Sequence, residues 1–142
     1  MTFETYNQIS LALWDVVSTS KKVEKKWGWE FWLENSDKYC AKLLFIEPGF
    51  QCSLHYHEIK QETFVVIQGQ VIFTETDVRR RPFTEILPPG AKRRVMTGTP
   101  HRFGSIDGAL ILEISTHHSD TDVVRLEESG KILDATALSR SL

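Results

Sequence analysis

Between Gly49 and Gly69 the chain reads GFQCSLHYHEIKQETFVVIQG, with two histidines one residue apart, a glutamate five positions later and a glycine at each end. This segment constrains the fold more than any other. His55 and His57 are spaced at the two-residue period of a β-strand, so both imidazoles leave the same face and can converge on one point. Glu62 lies an odd number of positions beyond His57, and a straight strand would aim it at the opposite face. The polar EIKQ segment must therefore bend the chain before a second strand, ETFVVIQG, rich in β-branched and aromatic residues and closed by a turn glycine. Two imidazoles and a carboxylate brought together by a bent strand pair make a site for one divalent transition metal; this donor set suits Zn, Mn, Fe, Co and Ni alike.

A fourth ligand is expected from elsewhere, and GTPHRF at 98–103 offers His101 after a turn set by Gly and Pro. These residues resemble the cupin pattern. The first cupin motif is matched at Gly49, His55, His57, Glu62 and Gly69. The second, P-x-G-x-x-H-x-x-x-N, is kept at Gly98 and His101 but has Met96 in place of the proline and Ser105 in place of the asparagine. Neither departure removes a ligand. The resemblance implies an all-β, single-domain jelly-roll barrel with the metal inside, held by His55, His57, Glu62 and His101.

The composition agrees with one ordinary domain. At 142 residues, 41% of them hydrophobic, the chain is long enough to bury a core without disulfide staples. Its two cysteines, Cys40 and Cys52, read as buried free thiols. A formal net charge of -2 gives no general attraction to nucleic acid or anionic membranes, so neither is an expected partner. No stretch approaches the ~20 apolar residues of a spanning helix, and a cytoplasmic location is the expectation.

The rest reads as strand after short strand. Ile9, Leu11 and Leu13 alternate like a strand, while Ile9, Leu13, Val16 and Val17 fit a helix face equally well, so residues 1–26 form an N-terminal extension of undecided type. WGWEFWL, a turn at NSDK and YCAKLLFIEPG form a hairpin leading into the metal motif. VIFTET, FTEIL, AKRRVM and ALILEIST complete a motif core of about 39–116, and 117–142 is expected to pack as an irregular tail.

The flanks, VEKKWGWEFWL and EISTHHSDTDVVRLEESGK, resemble type II phosphomannose isomerases, with Lys26 in place of a usual proline; YCAKLLFIEPGFQC with KQETF resembles D-lyxose isomerase. The resemblance implies a homodimer and a metal-dependent aldose–ketose isomerase acting on a sugar or sugar phosphate. A six-coordinate ion with four protein ligands leaves two positions for a carbonyl and its neighbouring hydroxyl, and a nearby group must carry the proton between C1 and C2. Glu113 is the first candidate, because it shares a strand face with Ile111 and Ser115 inside an apolar run. Lys42, which matches a lysine of the lyxose isomerase pattern, is the second. Arg102 is a candidate substrate ligand because it adjoins His101. The clusters Arg79–Arg81 and Lys92–Arg94 read as solvated faces that could also hold a phosphate, and Trp27, Trp29 and Trp32 as core residues that could also stack a sugar ring. Two other classes use the same site: a cupin-type metal-dependent oxygenase and a non-catalytic sugar-binding cupin.

Overall fold

The structure is a computed structural model that describes residues 11–133. A short helix, α1 (Leu11–Thr19), leads into thirteen strands. They are β1 (Lys21–Lys25), β2 (Gly28–Asn35), β3 (Tyr39–Ile46), β4 (Phe50–Gln51), β5 (Leu54–Tyr56), β6 (Glu62–Gly69), β7 (Val71–Thr76), β8 (Pro82–Leu87), β9 (Lys92–Val95), β10 (His101–Ser105), β11 (Ala109–Thr116), β12 (Val124–Glu127) and β13 (Gly130–Lys131). The strands form two antiparallel sheets. One is ordered β1-β2-β3-β11-β6-β9; the other runs β12-β5-β10-β4-β13, with β7 pairing both β10 and β8.

Residues alternate across each strand, and the alternation sorts two apolar clusters and one polar layer. Leu44, Ile46, Phe64, Val66 and Ile111 face Phe73, Val71 and Phe103 across the interior of the sandwich. The opposite face of the six-stranded sheet is also apolar: Phe31, Leu43, Phe45 and Leu110 pack beneath Val17 and Leu13 of α1. This accounts for the double apolarity of β3 and β11. The ambiguity of the N-terminal extension resolves into a helix from Leu11, whose last carbonyls accept hydrogen bonds from the hydroxyls of Ser18, Thr19 and Ser20 at 2.6–3.2 Å, followed by strand β1. Residues 1–10 and 134–142, including Ile9 of the alternation, lie outside the described residues.

The interior turns polar toward one end because the register aligns polar residues there. Lys42 of β3 is opposite Glu113 of β11, Trp32 of β2 is opposite Lys42, and Ser115 of β11 is opposite Glu62 of β6. One turn inward, Leu44 is opposite Ile111 and Ile111 opposite Val66. The irregular tail expected from 117 onward is corrected in part. After a loop it adds β12 to the edge of β5 and β13 to the edge of β4, so its backbone groups complete the second sheet.

Gly69, the closing glycine of the first motif, has φ +77°, and a Cβ there would lie 2.3 Å from the Gly108 carbonyl oxygen. Glycine is required for both reasons. Gly69→Ala is therefore expected to destabilise the fold by roughly 2–5 kcal/mol, the sum of a left-handed backbone penalty and overpacking, measured by urea unfolding.

Candidate metal centre

β5 ends at Tyr56 and β6 begins at Glu62 in the other sheet, so the EIKQ segment is the bend that its polarity required. His55 and His101 are paired residues on β5 and β10, and His57 follows on the same face as His55. The ligand atoms of the three imidazoles lie within 4.8 Å of one another. Glu62 meets them from the opposing sheet, with Oε1 3.4 Å from His57 Nε2 and Oε2 2.9 Å from His101 Nε2.

The other ring nitrogens define what these atoms can do. Nδ1 of His55 donates to the Ser53 carbonyl at 2.8 Å, Nδ1 of His57 to the Asp122 carbonyl, and Nδ1 of His101 to the Thr99 carbonyl at 2.9 Å. With the proton on Nδ1, each Nε2 presents a lone pair, the form in which imidazole binds a metal. His101 Nε2 and Glu62 Oε2 are both buried and have no hydrogen-bond partner. With His101 as the neutral Nδ1–H tautomer, their 2.9 Å approach sets a lone pair against a carboxylate oxygen. Such an arrangement is unfavourable unless a cation sits between the atoms, and the residues present fit a divalent metal. Burial, with His101 beside it, pushes His55 down to about 3, so its imidazole is neutral at pH 7 as ligation requires.

His55, His57 and Glu62 line a cavity of about 400 Å³ whose wall also includes Lys42, Lys60, Glu113, Trp32, His118 and Arg125. Lys60 has 3% of its surface exposed, and its ammonium contacts Glu113 at 2.8 Å, Glu62 at 3.2 Å and His118 Nδ1 at 3.1 Å. Burial lowers its pKa, but the Glu113 and Glu62 carboxylates outweigh it, and the net shift is upward. Glu113 also accepts a hydrogen bond from Ser115 Oγ at 3.1 Å. Lys42 forms a second group, 3.4 Å from Glu30 and 4.1 Å from the centre of the Trp32 ring, whose Nε1 donates to Glu30 at 2.9 Å.

The structure therefore brings Glu113 and Lys42 to the cavity that His55, His57 and Glu62 also line. Arg102 is the exception: its guanidinium donates to the Cys52 carbonyl at 2.9 Å, the Glu127 carboxylate at 2.8 Å and the Glu128 carbonyl at 3.0 Å. It fastens the tail from outside because neighbours on a strand point to opposite faces, and His101 takes the inner one. The basic clusters also lie off the cavity wall; Arg81 pairs with Asp77, and Arg93 with Glu75 and Glu85. Trp27 and Trp32 line the cavity, whereas Trp29 packs under α1. Cys40 and Cys52 are buried free thiols, and burial pushes Cys52 up to about 12, which leaves it inert. Sequence reasoning missed Lys60, Glu30 and His118. Lys60 sits in the bend, where no strand period applies, and His118 in a tail that reads as solvated.

Burial alone would raise the Glu30 pKa, but the Lys42 and Lys25 charges and the Trp32 and Lys42 hydrogen bonds outweigh it and hold the carboxyl below its ordinary 4.5. A depressed folded-state pKa contributes stability above the unfolded value and loses it as pH falls through the folded one. The stability difference between wild type and Glu30→Gln should therefore be full above about pH 4.5 and shrink steadily in more acidic solution, as urea unfolding across pH would record.

No protein-family model matches the chain. Among curated proteins it is 32% identical over 109 residues to a D-lyxose/D-mannose isomerase of Thermosediminibacter oceani, a match covering 61% of this chain and 60% of that protein. It is 24% identical over 112 residues to a mannose-1-phosphate guanylyltransferase of Sinorhizobium fredii, covering 75% of this chain and 21% of that one. The chain thus spans less than two thirds of either relative. Among solved structures, oxalate decarboxylase from Bacillus subtilis superposes with a TM-score of 0.69 at 21% identity, over 78% of this chain and 31% of that one. The enzyme from Lactobacillus farciminis does so at 0.68 and 22%, over 78% and 35%. At such identities these structures speak to the fold alone. The two antiparallel sheets and these structures agree in giving the chain a single-domain cupin-type jelly-roll fold.

Proposed function

We propose that the protein is a metal-dependent aldose–ketose isomerase acting on a small sugar or sugar phosphate of the mannose or lyxose type. The observation that carries this reading is the buried Lys60–Glu113 pair in the cavity that His55 and His57 line, beside the cluster of three convergent imidazoles. The 32% identity to a D-lyxose/D-mannose isomerase supports it. A divalent cation held by His55, His57, Glu62 and His101 would supply Lewis-acid polarisation of a carbonyl and its neighbouring hydroxyl.

The chain's own residues do the remaining work. Glu113 is the proton carrier, accepting the proton from C2 of an open-chain sugar and returning it to C1. Lys60, within 2.8 Å of Glu113 and 3.2 Å of Glu62, contacts both carboxylates and fixes the orientation of Glu113. Ser115 holds the same Glu113 oxygen. Lys42 is the alternative carrier; its contact with Glu30 and its stacking on Trp32 favour a role in shaping the far wall. The cytoplasmic location and the homodimer belong to this proposal too. β1 is an edge strand with three of its five residues exposed, available for pairing across a two-fold axis; light scattering decides between one chain and two.

Glu113→Gln keeps the four ligands and removes the proton acceptor. It should retain metal content while kcat for isomerisation falls about 10²- to 10⁴-fold, the usual contribution of a general acid–base group. Near-wild-type turnover in Glu113→Gln together with its loss in Lys42→Met would move the role to Lys42. If the metal-loaded wild type turns over no pentose, hexose or hexose phosphate, the isomerase reading fails in favour of a binding cupin, and oxygen consumption with iron would point to the oxygenase class.

A further inference from the structure

The bend that carries the chain from β5 to β6 holds His57 at one end, Lys60 within it and Glu62 at the other, yet it has no regular strand pairing of its own. Three of its backbone donors are satisfied from 62–64 residues away. The N–H groups of Glu58 and Ile59 donate to Asp122 Oδ1 at 2.9 and 3.1 Å, and that of Lys60 to Oδ2 at 2.9 Å. The backbone carbonyl of the same residue accepts the His57 Nδ1 proton. Asp122 is 8% exposed, and a buried carboxylate accepting three N–H bonds is a strong, geometrically specific anchor. The segment bearing it is fixed on both sides, by the Asn35–His118 pair of hydrogen bonds at 2.9 and 3.1 Å and by Arg102 on Glu127 and Glu128.

We propose that Asp122 is a positioning residue for the metal centre: its carbonyl sets the tautomer and ring direction of His57, and its carboxylate sets the bend that delivers Lys60 and Glu62. Neither group of Asp122 touches the ligand point itself. The inference rests on the metal reading of the four ligands, and it assigns the C-terminal tail a part in the site that the barrel alone lacks. A residue that merely stabilised the fold would lower the unfolding temperature and leave the metal affinity of the folded protein unchanged. A positioning residue changes the affinity and the ligand field as well.

The test is Co²⁺ titration of metal-free full-length chain, followed by visible absorption, with the folded fraction fixed by near-ultraviolet circular dichroism. Asp122→Asn is close to isosteric but cannot accept all three N–H bonds, since its amide nitrogen is a donor. The expected result is saturable binding of one Co²⁺ by wild type and about 10- to 100-fold weaker binding by folded Asp122→Asn, the range seen when outer-shell partners of metal ligands are lost, with a shifted absorption band. Wild-type affinity and spectrum in the folded variant would overturn the proposal and leave the metal site standing. Absence of saturable binding by wild type would overturn both. Should Asp122→Asn not fold, Asp122→Ser, which keeps the carbonyl and one short acceptor, is subject to the same two outcomes.

Discussion

Three imidazole lone pairs and a carboxylate buried at one point form the constraint on which the rest of this structure depends. Each histidine directs Nδ1 at a backbone carbonyl, so a neutral imidazole there has no proton on Nε2 to offer Glu62. Among the described residues, His101 Nε2 and Glu62 Oε2 are buried without a hydrogen-bond partner. In a medium of low dielectric such a cluster is unfavourable by itself and favourable around a cation. The jelly-roll sandwich makes the cluster possible because His55 and His101 come from adjacent strands of one sheet while Glu62 faces them from the other. The bend between the two halves of the first motif is then a necessity of the site, and Asp122 is what holds it.

Next to this cluster the barrel carries a polar layer where a structure built for stability alone would carry Leu and Val. Lys60 lies between Glu62 and Glu113, and Lys42 meets Glu30 over Trp32. Replacing well-formed buried ion pairs with apolar residues is often neutral or stabilising, whereas removing one partner commonly costs about 3–5 kcal/mol. Their presence at the polar end of the interior, and the apolar residues one turn deeper, divide the same strands into a supporting half and a chemical half. The division is set by register: the positions that bring Lys42 opposite Glu113 also bring Leu44 opposite Ile111.

How much of this the sequence disclosed depended on whether a residue sat inside a regular period. His55, His57 and Glu62 were legible because their spacing is itself the chemistry, whereas Glu113 shares a strand face with Ile111 and Ser115 in a strand apolar on both faces, so parity left its inward or outward direction open. The same rule applied to Arg102 would have sent it outward from His101, where it is found bound to the tail; proximity in sequence was the weaker guide. Lys60 was illegible because the bend that makes the site also breaks the strand period. Asp122 and His118 were illegible because a polar tail looks solvated until its backbone pairing with β5 is known. The extension before β1 fitted two periods at once, and burial of Val17 and Leu13 over the second apolar face decided for the helix.

The central claim is that three imidazoles and one carboxylate hold a single divalent ion, and X-ray absorption at the metal edge of the protein loaded with one equivalent of Co²⁺ or Mn²⁺ tests it most directly. The expected result is a first shell containing three imidazole nitrogens and a carboxylate oxygen at roughly 2.0–2.2 Å, with the outer-shell scattering of histidine rings, and loss of one ring's contribution in His101→Ala. A shell of light oxygen scatterers without imidazole features, unchanged by that substitution, would contradict it.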